Sequence, residues 1–381
     1  MAIQRPKYRF PWRPDNAFRL MVDGGQFFPA MLAAIDGARS HVLLELYLME
    51  SGRLATDFID ALIRAAAREV QVCVLVDDFG ASRLGRRDRD RLQGAGVRFA
   101  TYNPLRYGRL RGYLFRDHRK LLLVDGERVF TGGFGLTDAF SAATAAGPPW
   151  HEVVLEARGP VVADWQALFE EGWRRWGRDP AALPAAAAGP VGERPGRVVL
   201  SQPAQGSEVK RSLLKRVRAA ERRVWLATAY FLPSRKVRRA LRRAARAGVD
   251  VRLLLPGPLT DHPAARHAGR RYYVRLLRAG VRIFEYQPQF LHAKVTLCDH
   301  WLSVGSSNID RWNLRLNLEA NQEVEDPGLA EEVAGWFESD FGRSREYQYG
   351  PWRTRPLSGR LLERLWGMVD RWLEWLTRLR R

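Results

Sequence analysis

Two short clusters carry residue types suited to attack on a phosphodiester. His292 and Lys294 stand two residues apart in an apolar run that reads as a strand, so both side chains leave the same face. His118 and Lys120 repeat that spacing upstream. An imidazole beside an ammonium can supply a nucleophile or proton carrier together with a cation for non-bridging oxygens. A lone histidine in an apolar strand is usually a satisfied core residue. Two copies, each followed after four intervening residues by an aspartate and then by a glycine turn, are not explained that way.

The turns are Gly132-Gly133 in the first copy and Gly305-Ser306, leading to Asn308, in the second. They place backbone N–H, hydroxyl and amide donors at the strand ends. Asp125 and Asp299 lie an odd number of residues from the lysines, hence on the opposite face, and read as structural. Glu319 is expected to orient His292 through Nδ1. Glu152, in Trp150-His151-Glu152, is the expected partner of His118, and His151 and His262 are read as non-catalytic. A histidine that attacks or carries protons needs such a carboxylate to fix its tautomer.

The paired His-x-Lys-x4-Asp pattern resembles the phospholipase D superfamily. Segments such as VGSSNIDRWNLRLNLEAN and FLPSRKVRRAL are similar to its bacterial cardiolipin synthase branch, in particular the B-like form without transmembrane helices. The resemblance runs from about residue 23 to residue 341. It implies phosphatidyl transfer between phospholipids, with phosphatidylglycerol as donor and acceptor, through a phosphohistidine. It assigns His118 as nucleophile and His292 as general acid/base. No cofactor or metal is expected, because the lysines and neutral donors supply the electrostatics. A nuclease or other phosphodiesterase of the same superfamily is the alternative. Two departures stand out. Gly135 occupies the usual asparagine position of the first copy, and only five residues separate Asp299 from Gly305 where six are usual, which could shift the donors.

The elements that position these residues repeat as well. In residues 28–102 helical and β-branched segments alternate, and residues 224–286 follow the same order, as an α/β sheet flanked by helices requires. GAGVRFATYNP (residues 94–104) echoes RAGVRIFEYQP (residues 278–288). A repeat of this length signals a duplicated domain. The expected organisation is an N-terminal arm (1–22), lobe 1 (23–177), an Ala/Pro/Gly-rich linker (178–197), lobe 2 (198–343) and a basic tail (344–381). Each lobe is a mixed sheet with flanking helices, and the two are related by a pseudo-twofold axis. A helix is expected over residues 262–278.

The 381 residues carry a formal charge of +20, which points to a polyanionic partner: nucleic acid, or a membrane of acidic lipids. The resemblance favours an anionic phospholipid membrane with phospholipid substrates and no nucleic acid. The insertion before His118 (LRYGRLRGYLFRD) mixes arginine with aromatic residues, as a lip meeting headgroups would. From residue 358 the tail reads as an amphipathic helix with tryptophans beside arginines, fit for a membrane surface. No apolar run reaches the roughly 18 residues needed to span a bilayer. Cys73 and Cys298 read as buried thiols of a reducing compartment. These features together imply a peripheral protein on the cytoplasmic face of the inner membrane. Sequence leaves the oligomeric state open.

Overall fold

Runs such as QVCVLVD and DVRLLLP are largely apolar and bury residues of both faces, which suits strands between two helical layers. The computed structural model describes residues 7–104, 114–144, 147–177, 183–186, 188–203, 206–310, 316–356 and the single positions 363, 366 and 368. In lobe 1, β2 (His41–Leu46), β3 (Gln71–Asp77) and β4 (Arg98–Tyr102) run parallel, crossed over by α2 (Arg53–Ala67) and α3 (Arg86–Gly94). On the free edge of β2 follow β5 (Leu121–Val124), β6 (Arg128–Gly132), β7 (Val153–Arg158) and β1 (Arg13–Val22), all antiparallel.

Lobe 2 repeats this order. β10 (Arg223–Ala227), β11 (Asp250–Pro256) and β12 (Arg282–Tyr286) are parallel. Antiparallel β13 (Val295–Cys298), β14 (Trp301–Gly305), β15 (Glu319–Glu325) and β8 (Arg194–Gln202) follow. β1 and β8 join antiparallel, with Arg13 opposite Gly196, and, with the two-residue β9 (Gly206–Ser207) paired to β8, close both halves into one sheet of sixteen described strands. The pseudo-twofold relation therefore passes through the β1–β8 seam.

Alternation along β5 divides the core. Leu121 and Leu123 face a cluster shared by both lobes, under α4 (Val161–Trp176) and α9 (Pro327–Gly342). Leu122 and Val124 face lobe 1's own core beneath α1 (Gly24–Asp36) and α2. Lobe 2 has its own counterpart beneath α5 (Glu208–Ala219) and α6 (Arg235–Arg246). The shared layer fixes one lobe against the other: Trp165 and Phe337 are buried there, and Trp165 Nε1 donates to Gln322 Oε1 at 2.8 Å across the seam.

Three boundaries differ from expectation. Residues 13–22 form a central strand, because they pair with both β7 and β8 and bury Asn16, Phe18 and Met21. The segment expected as linker already enters β8 at Arg194. The tail begins as a sheet edge, with β16 (Ser344–Tyr347) paired to β12 and Trp352 of α10 (Tyr349–Arg353) buried against Tyr273. The helix expected over 262–278 is divided into α7 (Pro263–Arg270) and α8 (Tyr273–Leu277). The break turns Tyr273 inward, where its hydroxyl reaches Glu285 at 3.2 Å. Apart from positions 363, 366 and 368, the amphipathic helix expected from residue 358 lies outside the described residues, as does most of the arginine–aromatic lip.

Candidate active site

His118 and Lys120 lie on the lead into β5, and His292 and Lys294 on the lead into β13. Each lead is stitched to the opposite lobe. His118 N–H donates to the Leu318 carbonyl, and Leu318 N–H donates to that of Arg116, both at 2.9 Å. His151 N–H donates to the Phe290 carbonyl and His292 N–H to that of His151, both at 2.8 Å. Leu318 and His151 directly precede Glu319 and Glu152, so each carboxylate is delivered to the other lobe's histidine. His118 Nδ1 lies 3.1 Å from Glu319, and His292 Nδ1 lies 2.6 Å from Glu152 Oε2.

This reverses the expected partners. Glu319 holds His118 and Glu152 holds His292, because the segments before β7 and β15 run beside the lead of the opposite lobe rather than their own. The crossing brings both His-Lys pairs to one place. Lys294 Nζ reaches Glu152 Oε2 at 3.5 Å and lies 3.1 Å from His292 Nε2. Lys120 Nζ donates to the His118 carbonyl at 2.6 Å and sits 5.2 Å from the centre of the Tyr47 ring.

The glycine turns make room. A Cβ on Gly133 would collide with Glu152 Oε2 and stand 2.7 Å from Lys294 Nζ. On Gly132 it would lie 2.5 Å from the Val153 carbonyl, and on Gly305 it would collide with that of Ala320. Ser306 donates its hydroxyl to Glu319 and so braces the carboxylate. Asn308 Oδ1 accepts from Thr228 Oγ1 at 3.2 Å and from Tyr230 N–H at 3.3 Å. Asn308 Nδ2 and the neighbouring Ser307 hydroxyl are buried without a hydrogen-bond partner among the described residues. A phosphate oxygen would satisfy such orphaned donors.

Neither departure from the motif pattern displaces the donors. The missing residue of the second copy is taken up in the hairpin turn. The β5–β6 turn has three residues, Asp125 to Glu127, and the β13–β14 turn has two, Asp299 and His300. Beyond the turns the ladders match, with Leu121 opposite Thr131 and Val295 opposite Val304. At Gly135 a Cβ would approach that of Leu48 to 2.9 Å, so lobe 1 has no space for an asparagine. Asp125 accepts from the backbone N–H groups of Arg39, Ser40 and His41, and Asp299 from those of Glu221, Arg222 and Arg223. Each aspartate ties a hairpin turn to the start of the neighbouring strand, away from the histidines.

The sequence profile described as "Cardiolipin synthase, PLD-like domain" matches residues 31–173 and 213–341. The chain belongs to this family.

The chain is 36% identical over 346 residues to cardiolipin synthase A of Pseudomonas aeruginosa, covering 89% of this chain and 70% of that protein. It is 35% identical to cardiolipin synthase A of Pseudomonas entomophila, covering 89% and 71%. The crystal structure of phosphatidylserine synthase from Haemophilus influenzae superposes with a TM-score of 0.69 over 98% of this chain and 96% of that one, at 12% identity, and so shares its fold. Among the described residues no helix is long and apolar enough to cross a membrane, and no group of three or more His, Cys, Asp or Glu side chains is placed to hold a metal ion.

Within this PLD-like frame the two halves differ electrostatically. Burial, then Lys120 and Lys294, pushes His118 well below the usual imidazole range. Burial and Lys294 push His292 down to about 4, so both rings are neutral near pH 7. Burial alone would raise Glu152, but Lys294 and the hydrogen bond from His292 outweigh it and hold the carboxyl below its ordinary value. Glu319 goes the other way: burial raises it to about 8 against the opposing pull of Lys120 and the Ser306 hydroxyl. Burial lowers Lys120 to about 7 and also depresses Lys294.

Several residues at the site escaped the sequence reading. His292 is walled by Phe140, Trp150 and Phe290, with ring centroids 5.4, 5.1 and 5.5 Å away. His118 meets Tyr47 at 4.8 Å. Trp150 and Phe290 each stand two residues before a site residue, so the same-face rule that paired His with Lys could have found them. Ser307 carried no such signal. His151 is a buried crosslink between lobes: Nδ1 meets Asp23 and Nε2 meets Asp340, both at 2.7 Å. Burial would depress it, yet the two carboxylates raise it to about 9, so it is an imidazolium. Its backbone anchors the His292 lead.

Proposed function

We propose that this protein makes cardiolipin by phosphatidyl transfer through a phosphohistidine, with phosphatidylglycerol as both donor and acceptor. The observation that carries the reading is the crossed pairing, in which each imidazole has Nδ1 on a buried carboxylate of the other lobe and keeps Nε2 for chemistry. His118 Nε2 attacks phosphorus. The bond from phosphorus to the headgroup glycerol oxygen breaks, and His292 gives that oxygen a proton. A second phosphatidylglycerol then loses a hydroxyl proton to His292 and attacks phosphorus. The P–N bond breaks and His118 is regenerated.

Lys120, Lys294, Asn308 Nδ2 and the Ser307 hydroxyl bind the non-bridging oxygens, whose charge must be held throughout. Burial and then Lys294 keep the resting His292 deprotonated; a phosphodiester anion pairing with the lysines offsets the Lys294 part, and the ring takes up a proton from solvent as substrate binds. The ring can then serve first as acid and afterwards as base. The substrate assignment comes from the cardiolipin synthase family, and the +20 charge suits an anionic phospholipid membrane. That charge and the two buried free thiols fit a peripheral protein at the cytoplasmic face of the inner membrane. The test is incubation of the pure protein with phosphatidylglycerol vesicles in EDTA. Cardiolipin and glycerol should appear in equal amounts. No transfer, together with cleavage of single-stranded DNA, would move the protein to the nucleases of the superfamily.

A further inference from the structure

The duplicated lobes place α2 and α6 in corresponding positions, each crossing between the first two parallel strands of its half, but their charges are unlike. In α2, Arg53 and Arg64 are balanced by Asp57 and Asp60, and Arg64 pairs with Asp36 at 2.8 Å. α6 carries seven Arg or Lys and no acidic residue. Val237, Ala240, Leu241 and Ala244 bury its inner face, while Arg235, Lys236, Arg239, Arg243 and Arg246 are exposed. None of these five has a carboxylate partner among the described residues.

This arrangement is unfavourable for the helix itself. Like charges four residues apart repel along the ridge from Arg235 through Arg239 to Arg243. Two cations in the first turn oppose the macrodipole. Folding alone would be better served by the mixed charges of α2. Elsewhere on lobe 2 the cations that serve folding are paired, as Arg266 and Arg270 are with Glu285. The ridge is broadened by α5, which packs beside α6 and exposes Arg211, Lys215 and Arg218.

The ridge also rises from the rim of the active site. The chain between β10 and α6 supplies Thr228 and Tyr230 to Asn308, and Leu232 N–H donates to the Ile309 carbonyl at 3.2 Å. Arg235, the first residue of α6, follows three positions later.

We propose that the α5–α6 face of lobe 2 is the docking surface for an anionic lipid bilayer, presenting the site rim to the headgroups. The partner follows from charge complementarity and from the proposed substrate, so the inference rests on the lipid reading of the active site. A polybasic face near an acidic surface gains attraction with each exposed cation, screened by salt.

The test uses the full-length protein carrying Arg235→Gln, Lys236→Gln, Arg239→Gln and Arg243→Gln, none of which touches the histidines. Co-sedimentation with vesicles of phosphatidylglycerol and phosphatidylcholine should fall at least tenfold, while transfer on monomeric short-chain phosphatidylglycerol stays within twofold of wild type. Arg53→Gln with Arg64→Gln, on lobe 1, should leave sedimentation unchanged. Unchanged vesicle binding in the four-site variant overturns the proposal. So does an equal loss in the lobe 1 variant, which would reduce the effect to net charge. Retained vesicle binding with lost retention of single-stranded DNA would make the face a nucleic-acid surface instead. A wild type that binds vesicles through α6 yet transfers nothing on the short-chain lipid would overturn the lipid-transfer reading and leave the docking face standing.

Discussion

The His118 half and the His292 half of the site are built from the same strands, yet they are not equivalent. His292 sits among three aromatic rings, with Glu152 held ionised by Lys294. His118 sits against Tyr47, with a Glu319 that remains protonated up to about pH 8 and whose oxygen is already braced by Ser306. The orphaned donors, Asn308 Nδ2 and Ser307 Oγ, belong to lobe 2, and Gly135 leaves lobe 1 without a counterpart. A symmetric frame has been given unlike electrostatics, and two chemically different jobs require that: one ring bonds to phosphorus while the other carries protons.

The sharpest way to break the comparison is to remove each ring. His118→Ala and His292→Ala should each lower phosphatidyl transfer by about 10⁴-fold or more. They should part company on a donor with a good leaving group such as p-nitrophenol. His292→Ala should still trap a phosphoenzyme quenched in denaturant at alkaline pH, where the P–N bond survives, and His118→Ala should not; the reverse result would exchange the two roles. Next come the carboxylates. Glu152→Gln should cost roughly 10²–10³-fold in kcat, and Glu319→Gln clearly less, because Glu319 already carries a proton at neutral pH. Equal losses would mean that both carboxylates work ionised.

The pH profile tests the same asymmetry. Lys120 must be charged to hold phosphate, and its pKa is depressed to about 7, so kcat/KM should fall as pH rises through that value. His118 must be neutral to attack phosphorus, so the acid limb should follow its depressed pKa and lie below the ordinary imidazole range. Lys120 and Glu319 face each other, and the alkaline limb belongs to the pair. A profile flat to pH 9 would remove Lys120 from phosphate binding.

The smallest expected effects concern the hairpin anchors. Asp125→Ala and Asp299→Ala each free three backbone N–H groups and should each cost about 1–3 kcal/mol of stability in denaturant unfolding, without changing the pH dependence of activity. Those N–H groups hold Asp299 below its ordinary pKa despite burial. Its contribution is therefore present above the usual carboxylate range and lost as pH falls through the depressed value. His151 has the opposite sign. Raised to about 9, it stabilises below the ordinary imidazole range and loses that contribution as pH climbs through 9.

Much of this was legible in the sequence because it follows from local geometry. The two-residue strand period put His with Lys on one face and Asp299 on the other, and the repeated order of segments gave the lobes. The carboxylate partners were not legible. Glu319 lies in the same lobe as His292, and nothing in chain order reveals that residues 316–319 dock beside the other lobe's lead. β1 was hidden for a related reason: Arg13-Pro-Asp-Asn opens it with residues that look like an arm, and only pairing with both β7 and β8 makes it central. The harmlessness of the shortened second motif depended on a turn that can lose a residue without altering the ladder behind it.

The exchange of carboxylates across the seam has a consequence for how this protein could be divided. Cut between the lobes, each fragment would hold a histidine whose tautomer nothing sets, and a glutamate buried with no ring to serve. Separately expressed halves should therefore be inert and regain turnover only on mixing, as reciprocal parts do in a twofold dimer. Covalent linkage then frees the chain from the sameness that such a dimer imposes, because a substitution such as the glycine at 135 or the unbroken cationic ridge of α6 can be made on one side alone.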